Sequence, residues 1–444
     1  MAYRNFDDTT LSRRGLLRGG AMIGAGAALS SLPLSAVLAQ GAPGQWSNVR
    51  GLIDDYVGGG KVANMLAVLG WGQRAPQLIG EGALTIGQPE MADLDSLYRV
   101  YSMTKPVTGM AAMMLIDEGK MGLDQPIADF LPKFADMKVQ KTYDGSLTDV
   151  VPAERQITVR HLMTHTAGLG YNIIQKGPIR DAYMARGILG GQVSKLPIAQ
   201  MIFGKSSLAP DLASFADRLA ELPLVYQPGT RWSYSYSLDL LGRVIEVASG
   251  QRFDDYLTEN LFKPAGMTST WFTVPKSEVG RLTSNYAVMG GALIPLDPAR
   301  ASIYLDPVSY PSGGGGLVSS PRDYDRFLRM LLGYGKIDGK RVMSEPAVRV
   351  GTSTLLPEGV KTGRTVAQGQ GFGAGGRVGI EGDQKGQFGW GGAAGTVAAV
   401  DMRRGLRASL FTQYMPSDAY PIHSAFPKAV AEDLAAMAAA KSGA

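Results

Sequence analysis

Between Trp46 and Tyr56 the apolar residues return at Val49, Leu52, Ile53 and Tyr56, which is the spacing of one helix face, and Gly58-Gly59-Gly60 stops the run. Two apolar stretches follow, Val62 to Trp71 and Gln77 to Leu84. With Gly72-Gln73-Arg74 between them they read as a strand hairpin. Asp95 to Tyr101 is a short link into a long apolar run from Val107 to Ile116, which reads as a buried helix closed by Gly119. Met110, Met113 and Met114 on it suit core packing, because the unbranched thioether fills irregular gaps.

From about Gly170 to Pro223 short apolar clusters alternate with breakers, which predicts a helical insertion with loops that walls a pocket. Leu238 to Ala248 and Gln251 to Leu261 have helical periodicity, the second ending before Pro264. Ser320-Pro321-Arg322-Asp323 has the composition of a helix N-cap, with the helix running through Leu332. The last third is strand-like over Gly369 to Val378, Gln384 to Gly392, Gly395 to Asp401 and Ala408 to Tyr414. An alanine-rich helix from about Ser424 to Ala440 closes the chain, and no internal repeat is visible.

Composition narrows the chemistry. The chain has 444 residues, 45% hydrophobic and 19% charged, enough to bury a large core. Its formal charge of +5 includes a surplus from Arg4, Arg13, Arg14 and Arg18 over Asp7 and Asp8. No Lys/Arg run forms a nucleic-acid footprint. With no cysteine, disulfides, thiolate catalysis and cysteine-bound metals are excluded. Ser12-Arg13-Arg14-Gly15-Leu16-Leu17-Arg18 precedes an uncharged Gly/Ala-rich stretch that ends in Val37-Leu38-Ala39. That pattern resembles a bacterial twin-arginine export signal over residues 1–39, removed after Ala39 in a periplasmic or secreted protein. Retention as an anchor is the alternative, although Pro33 and the glycines make a poor spanning helix, so no stable membrane span is expected after removal.

Ser102 and Lys105 form the only Ser-x-x-Lys of the chain. In a helix beginning at or just after Ser102 the lysine lies one turn on, within hydrogen-bond reach of the hydroxyl, which is one way to activate a weak nucleophile. Two common residues also meet at that spacing by chance, so other parts of the chain must decide. His161 and His165 stand at i and i+4, but Leu162 occupies the place where a zinc-protease motif has glutamate. No metal is expected there, and helix packing explains the pair better. Ser312-Gly313-Gly314-Gly315-Gly316 lacks the Gly-Lys-Ser/Thr continuation of a phosphate loop and reads as close backbone packing.

Several segments, taken in order, resemble serine hydrolases of the class C β-lactamase and penicillin-binding-protein superfamily, most closely the family VIII carboxylesterases. They are Tyr98 to Thr108, Ile157 to Leu169, Pro228 to Glu246, Gly313 to Phe327 and Phe388 to Thr396. The resemblance implies an α+β fold, an antiparallel sheet flanked by helices. A mostly helical subdomain around 105–240 would be inserted between sheet-forming parts 45–100 and 260–440 of a single catalytic domain, 40–440. It also implies Ser102 as nucleophile, Lys105 as its activating neighbour and Tyr234 as the phenol of the second motif. Tyr236, in the usual asparagine place, is assigned to substrate binding and is the second choice for the catalytic phenol. The third motif is carried by Trp390-Gly391-Gly392, also assigned to substrate binding, rather than by Lys361-Thr362-Gly363, whose setting is turn-like. The N–H groups of Ser102 and Ala393 would form the oxyanion hole.

A phenol near an ammonium and a desolvated lysine can share protons and titrate as a unit. The expectation is therefore an acyl-enzyme on Ser102 formed from a small-molecule ester, with no cofactor. Tryptophan in place of the third-motif lysine offers one N–H and no positive charge, which favours neutral esters over β-lactam carboxylates. β-Lactamase or D-amino-acid peptidase activity is the second reading, and a non-catalytic binding or sensing protein the third. No Gly-x-Ser-x-Gly suggests an unrelated α/β-hydrolase.

Overall fold

The computed structural model describes residues 45–197, 208–363 and 365–442. The twin-arginine stretch and its expected cleavage site lie outside them. Helix α1 (Ser47–Val57) leads into the antiparallel hairpin of β1 (Asn64–Trp71) and β2 (Gln77–Gly82), in which Leu66 stands opposite Gly80. β1 is apolar almost throughout because both of its faces are covered. Met65, Ala67 and Leu69 face one core cluster, Leu66 and Val68 the other.

Helix α2 (Thr104–Asp117) is buried from Thr104 to Leu115 and runs through the larger cluster. The same cluster takes in the short helix α3 (Val159–Met163), the helices Pro178–Ala185 and Leu212–Ala220, and α4 (Ser237–Ser249), which packs against α2. Only one short strand pair, Lys138–Gln140 with Val150–Pro152, interrupts this helical part among the described residues. Helix α5 (Pro321–Leu332) begins where expected, its Ser320 cap accepting a hydrogen bond from the Asp323 N–H.

The C-terminal third supplies β3 (Gly371–Phe372), β4 (Arg377–Val378), β5 (Gln387–Gly391), β6 (Val397–Asp401) and β7 (Leu406–Phe411). Together with the first hairpin they form one seven-stranded antiparallel sheet, in the order β3-β4-β5-β6-β7-β1-β2. Helix α6 (Ile422–Ser442) packs with α1 on one face, where Val49, Ile53, Leu410 and Phe426 meet. On the other face α5 and α2 contribute Phe327, Val107 and Met110 to the cluster holding Val400 and Phe411. The architecture is the expected α+β arrangement of an antiparallel sheet flanked by helices.

Four local expectations change. Gly369 to Val378 is not one strand but two short ones, turned by the glycines at 373, 375 and 376. The last expected strand ends at Phe411, and Tyr414–Met415 instead pairs in parallel with Asn285–Met289. Pro264 does not end the second helix. A wider π-turn at Thr258–Phe262 carries the chain on to Ala265, and Gly266 stops it in the left-handed conformation (φ 69°). α3 ends before His165, so the two histidines do not share a helix face.

Candidate active site

Ser102 sits in a single 3-10 turn, Tyr101–Met103, that feeds directly into α2. The approach to it is rigid. Arg99, fully buried, donates to Asp297 Oδ2 at 2.7 Å, to the Thr283 carbonyl at 2.6 Å and to Ser302 Oγ at 2.9 Å. Tyr101 then takes a positive φ of 41°, uncommon for a residue with a side chain, and this sharp change of direction turns the chain at the nucleophile.

Lys105 is completely buried, and its Nζ lies 3.1 Å from Ser102 Oγ. A second hydrogen bond runs from Nζ to the Gly314 carbonyl. The glycine run is thus a backbone surface against the lysine, in keeping with the close packing read from the sequence. A Cβ on Gly314 would stand 2.3 Å from Asp239 Oδ2, so glycine is required there. Asp239, on α4, holds the run from behind, its Oδ1 accepting from Ser312 Oγ and from the Gly314 N–H at 3.1 Å. Burial pushes the Asp239 carboxyl above the ordinary aspartate range, against the opposing pull of Lys105. Sequence reasoning missed Asp239. Its one signal was an acid in the apolar run Leu238-Asp239-Leu240-Leu241.

Tyr234 reaches the same hydroxyl, its phenol donating to Ser102 Oγ at 2.7 Å. The ring lies 4.6 Å below Lys105 Nζ, with Tyr171 and Trp390 as aromatic neighbours at 5.4 and 5.8 Å. The structure thus brings together Ser102, Lys105 and Tyr234. It does not bring Tyr236 to them. Tyr236 is fully buried behind Tyr171, and its hydroxyl donates to the Ile188 carbonyl at 2.6 Å. Tyr171 packs edge-on against both rings, 5.4 Å from that of Tyr234 and 4.6 Å from that of Tyr236, and the fully buried Tyr236 does not contact the serine. The expectation that Tyr236 binds substrate is corrected on that ground.

Trp390, on β5, directs Nε1 toward the Tyr234 hydroxyl at 3.4 Å. Gly391 and Gly392 lead into the turn that carries Ala393. A Cβ on Gly392 would meet the Val100 carbonyl at 2.4 Å, so the missing side chain lets this turn lie against the strand entering the nucleophile. Among the described residues the Ala393 N–H has no hydrogen-bond acceptor. His423, on α6, fastens the turn from outside, its Nε2 lying 3.1 Å from the Gly392 carbonyl and 3.0 Å from that of Thr396. Lys361 is exposed in a loop, as its setting predicted.

All three histidines are structural, and among the described residues no group of acids and histidines could hold a metal. His161 Nδ1 accepts from the Thr158 N–H and completes a capping box, while His165 Nδ1 meets Ser235 Oγ at 3.0 Å beneath the Tyr234 ring. Burial lowers the His161 pKa to about 4 and holds His165 and His423 below the ordinary histidine value. Their neutral forms stabilise the fold fully above the unfolded pKa of about 6.5, and that contribution is lost as pH falls toward the folded values. The melting temperature is therefore expected to fall between pH 7 and pH 5. Asp239 and Asp323, raised by burial, act in the opposite sense. The decisive comparison is consequently between the wild type and His161→Gln, whose profile should be flatter by differential scanning fluorimetry; an unchanged slope would contradict the assignment.

A protein-family model described as Beta-lactamase matches residues 55–431. Protein Rv1367c of Mycobacterium tuberculosis is 35% identical over 339 residues, covering 72% of this chain and 78% of its own. Esterase EstB of Burkholderia gladioli is 31% identical over 253 residues, 53% of this chain and 57% of its own. Among solved structures, EstCE1, described as a hydrolase with promiscuous acyltransferase activity, superposes with a TM-score of 0.69 at 22% identity, covering 86% of this chain and 98% of that one. That likeness establishes the shared fold.

Proposed function

The chain belongs to the beta-lactamase family, and from that premise we propose that it cleaves carboxylic esters through an acyl-enzyme on Ser102. The single observation that carries this reading is the convergence of Lys105 Nζ and Tyr234 Oη on one hydroxyl, at 3.1 and 2.7 Å. Ser102 Oγ attacks the ester carbonyl while its proton passes to the Lys105–Tyr234 pair. The oxyanion is met by the N–H groups of Ser102 and Ala393; one such donor typically contributes about 2.7–4 kcal/mol of transition-state stabilisation. Collapse breaks the C–O bond, and the alkoxide leaves with the proton held by the pair. Water then attacks the acyl-enzyme by the reverse proton path and releases the acid.

The acyl acceptor is the open choice within this chemistry, since EstCE1 is described as a hydrolase that also transfers acyl groups. A panel of aryl esters, nitrocefin and D-alanyl peptides, each with and without an added alcohol, tests the reading. Phenol release from aryl esters, with little nitrocefin turnover, is expected, because Trp390 supplies a single neutral N–H where a lysine would neutralise a β-lactam carboxylate. Nitrocefin turnover exceeding aryl ester turnover would replace the esterase reading with the β-lactamase one. A new ester formed with the alcohol would make the protein an acyltransferase.

A further inference from the structure

Asp239 is a buried acid with one oxygen unused. It stands in the first turn of α4 and is completely buried, yet it does not cap that helix, whose start has no side-chain cap hydrogen bond. Oδ1 accepts from Ser312 Oγ and from the Gly314 N–H at 3.1 Å. Oδ2 is buried with no hydrogen-bond partner among the described residues, and it abuts Gly314, where a Cβ would stand 2.3 Å away. The same glycine carries the next link. Its carbonyl accepts from Lys105 Nζ, which lies 3.1 Å from Ser102 Oγ. A single residue thus joins a fully buried acid to a fully buried amine.

Holding the glycine run requires no charge. Its two donors meet one oxygen, and an amide oxygen would accept both. A carboxylate whose second oxygen is buried and unpartnered is the costlier choice, so its retention calls for another reason. Burial raises the Asp239 pKa, and the largest opposing pull is that of Lys105, the only cation whose field reaches the acid. The other titratable groups around the two are the buried phenols of Tyr236 and Tyr310 beside the acid, the rings of Tyr171 and Tyr234 beside the amine, and His165, which burial keeps neutral. In a setting without water a charge one residue away acts strongly.

We propose that Asp239 is a positioning residue whose negative charge acts through Lys105, holding protons on the Lys105–Tyr234 pair and so setting the pH range in which Ser102 is activated. The proposal deepens the acyl-enzyme reading and rests on it. A nearby negative charge favours the ammonium, so the pair gives up each proton at a higher pH than it would alone. Removing that charge must carry both limbs of the pH–rate profile to lower pH.

The test follows two rates against pH, labelling of Ser102 by a fluorophosphonate and kcat/KM for an aryl ester. Asp239→Asn keeps an oxygen for Ser312 and Gly314 and removes only the charge, whereas Ser312→Ala removes a donor and keeps the charge. Both profiles of Asp239→Asn are expected to move to lower pH by about one unit or more, and those of Ser312→Ala to stay in place. Asp239→Ser, neutral and smaller, is a second such variant and should give the same displacement. A slower neutral variant with an unmoved profile would make the acid a support for the glycine run alone and overturn the proposal. An equal displacement in Ser312→Ala, or failure of both neutral variants to fold, would overturn it as well. Labelling does not depend on which ester is a substrate. A wild type that is labelled but cleaves no aryl ester would strike the ester reading, while the labelling profiles would still decide the role of Asp239.

Discussion

Ser102→Ala is expected to lose ester hydrolysis by at least about 10⁴-fold in kcat and to lose all labelling by a fluorophosphonate probe. The substitution removes the one atom on which Lys105 Nζ and Tyr234 Oη converge. What remains is the surrounding site without that hydroxyl, so residual rate is limited to substrate binding and polarisation. Alanine fits the 3-10 turn, whose geometry is held by Arg99 and Asp297 rather than by the serine hydroxyl. The variant should therefore fold, and a melting curve beside the assay separates lost chemistry from lost structure. Undiminished turnover in a folded Ser102→Ala protein would remove the proposed mechanism altogether.

Tyr234→Phe should cut kcat by about 10²–10⁴-fold, the range for a positioned acid–base group, with a smaller change in KM. Tyr236→Phe should act differently. Its hydroxyl is spent on the Ile188 carbonyl and Asn172, so its loss leaves a buried carbonyl short of a donor and lowers stability by about 1–3 kcal/mol, with little effect on turnover. Steady-state kinetics and denaturant unfolding of the two variants form a crossed pair of measurements. The reverse ranking in kcat would transfer the catalytic phenol to position 236.

Much of this was legible before the fold was known, and the reasons are physical. Ser102 and Lys105 are close because one helical turn makes them so, and four residues of sequence carry that information. β1 and α2 were legible because their apolar runs leave no polar alternative. Choosing between Tyr234 and Tyr236 needed the position of Tyr171, more than sixty residues away, because only packing separates two phenols of equal chemistry. The Gly314 carbonyl was illegible as a lysine acceptor, since every residue has a carbonyl and only tertiary structure aims one. The turn between β3 and β4 was hidden in the same way: the stretch was read as a single strand, and its glycine turn appears only once the two short strands fold back on each other.

β1 pairs with β7 so that Leu66 stands opposite Phe411, and the first hairpin is thereby joined to strands made far later in the chain. During synthesis the hairpin must therefore wait, with its second edge open, until β7 has emerged. Contacts of such long sequence range form slowly, and the open edge of β1 is a place where a nascent chain can aggregate. The two N–H groups proposed for the oxyanion are also far apart in sequence, one before α2 and one after β5. A chain that stops short of β5 can hold the serine and its lysine, but not the pair of donors.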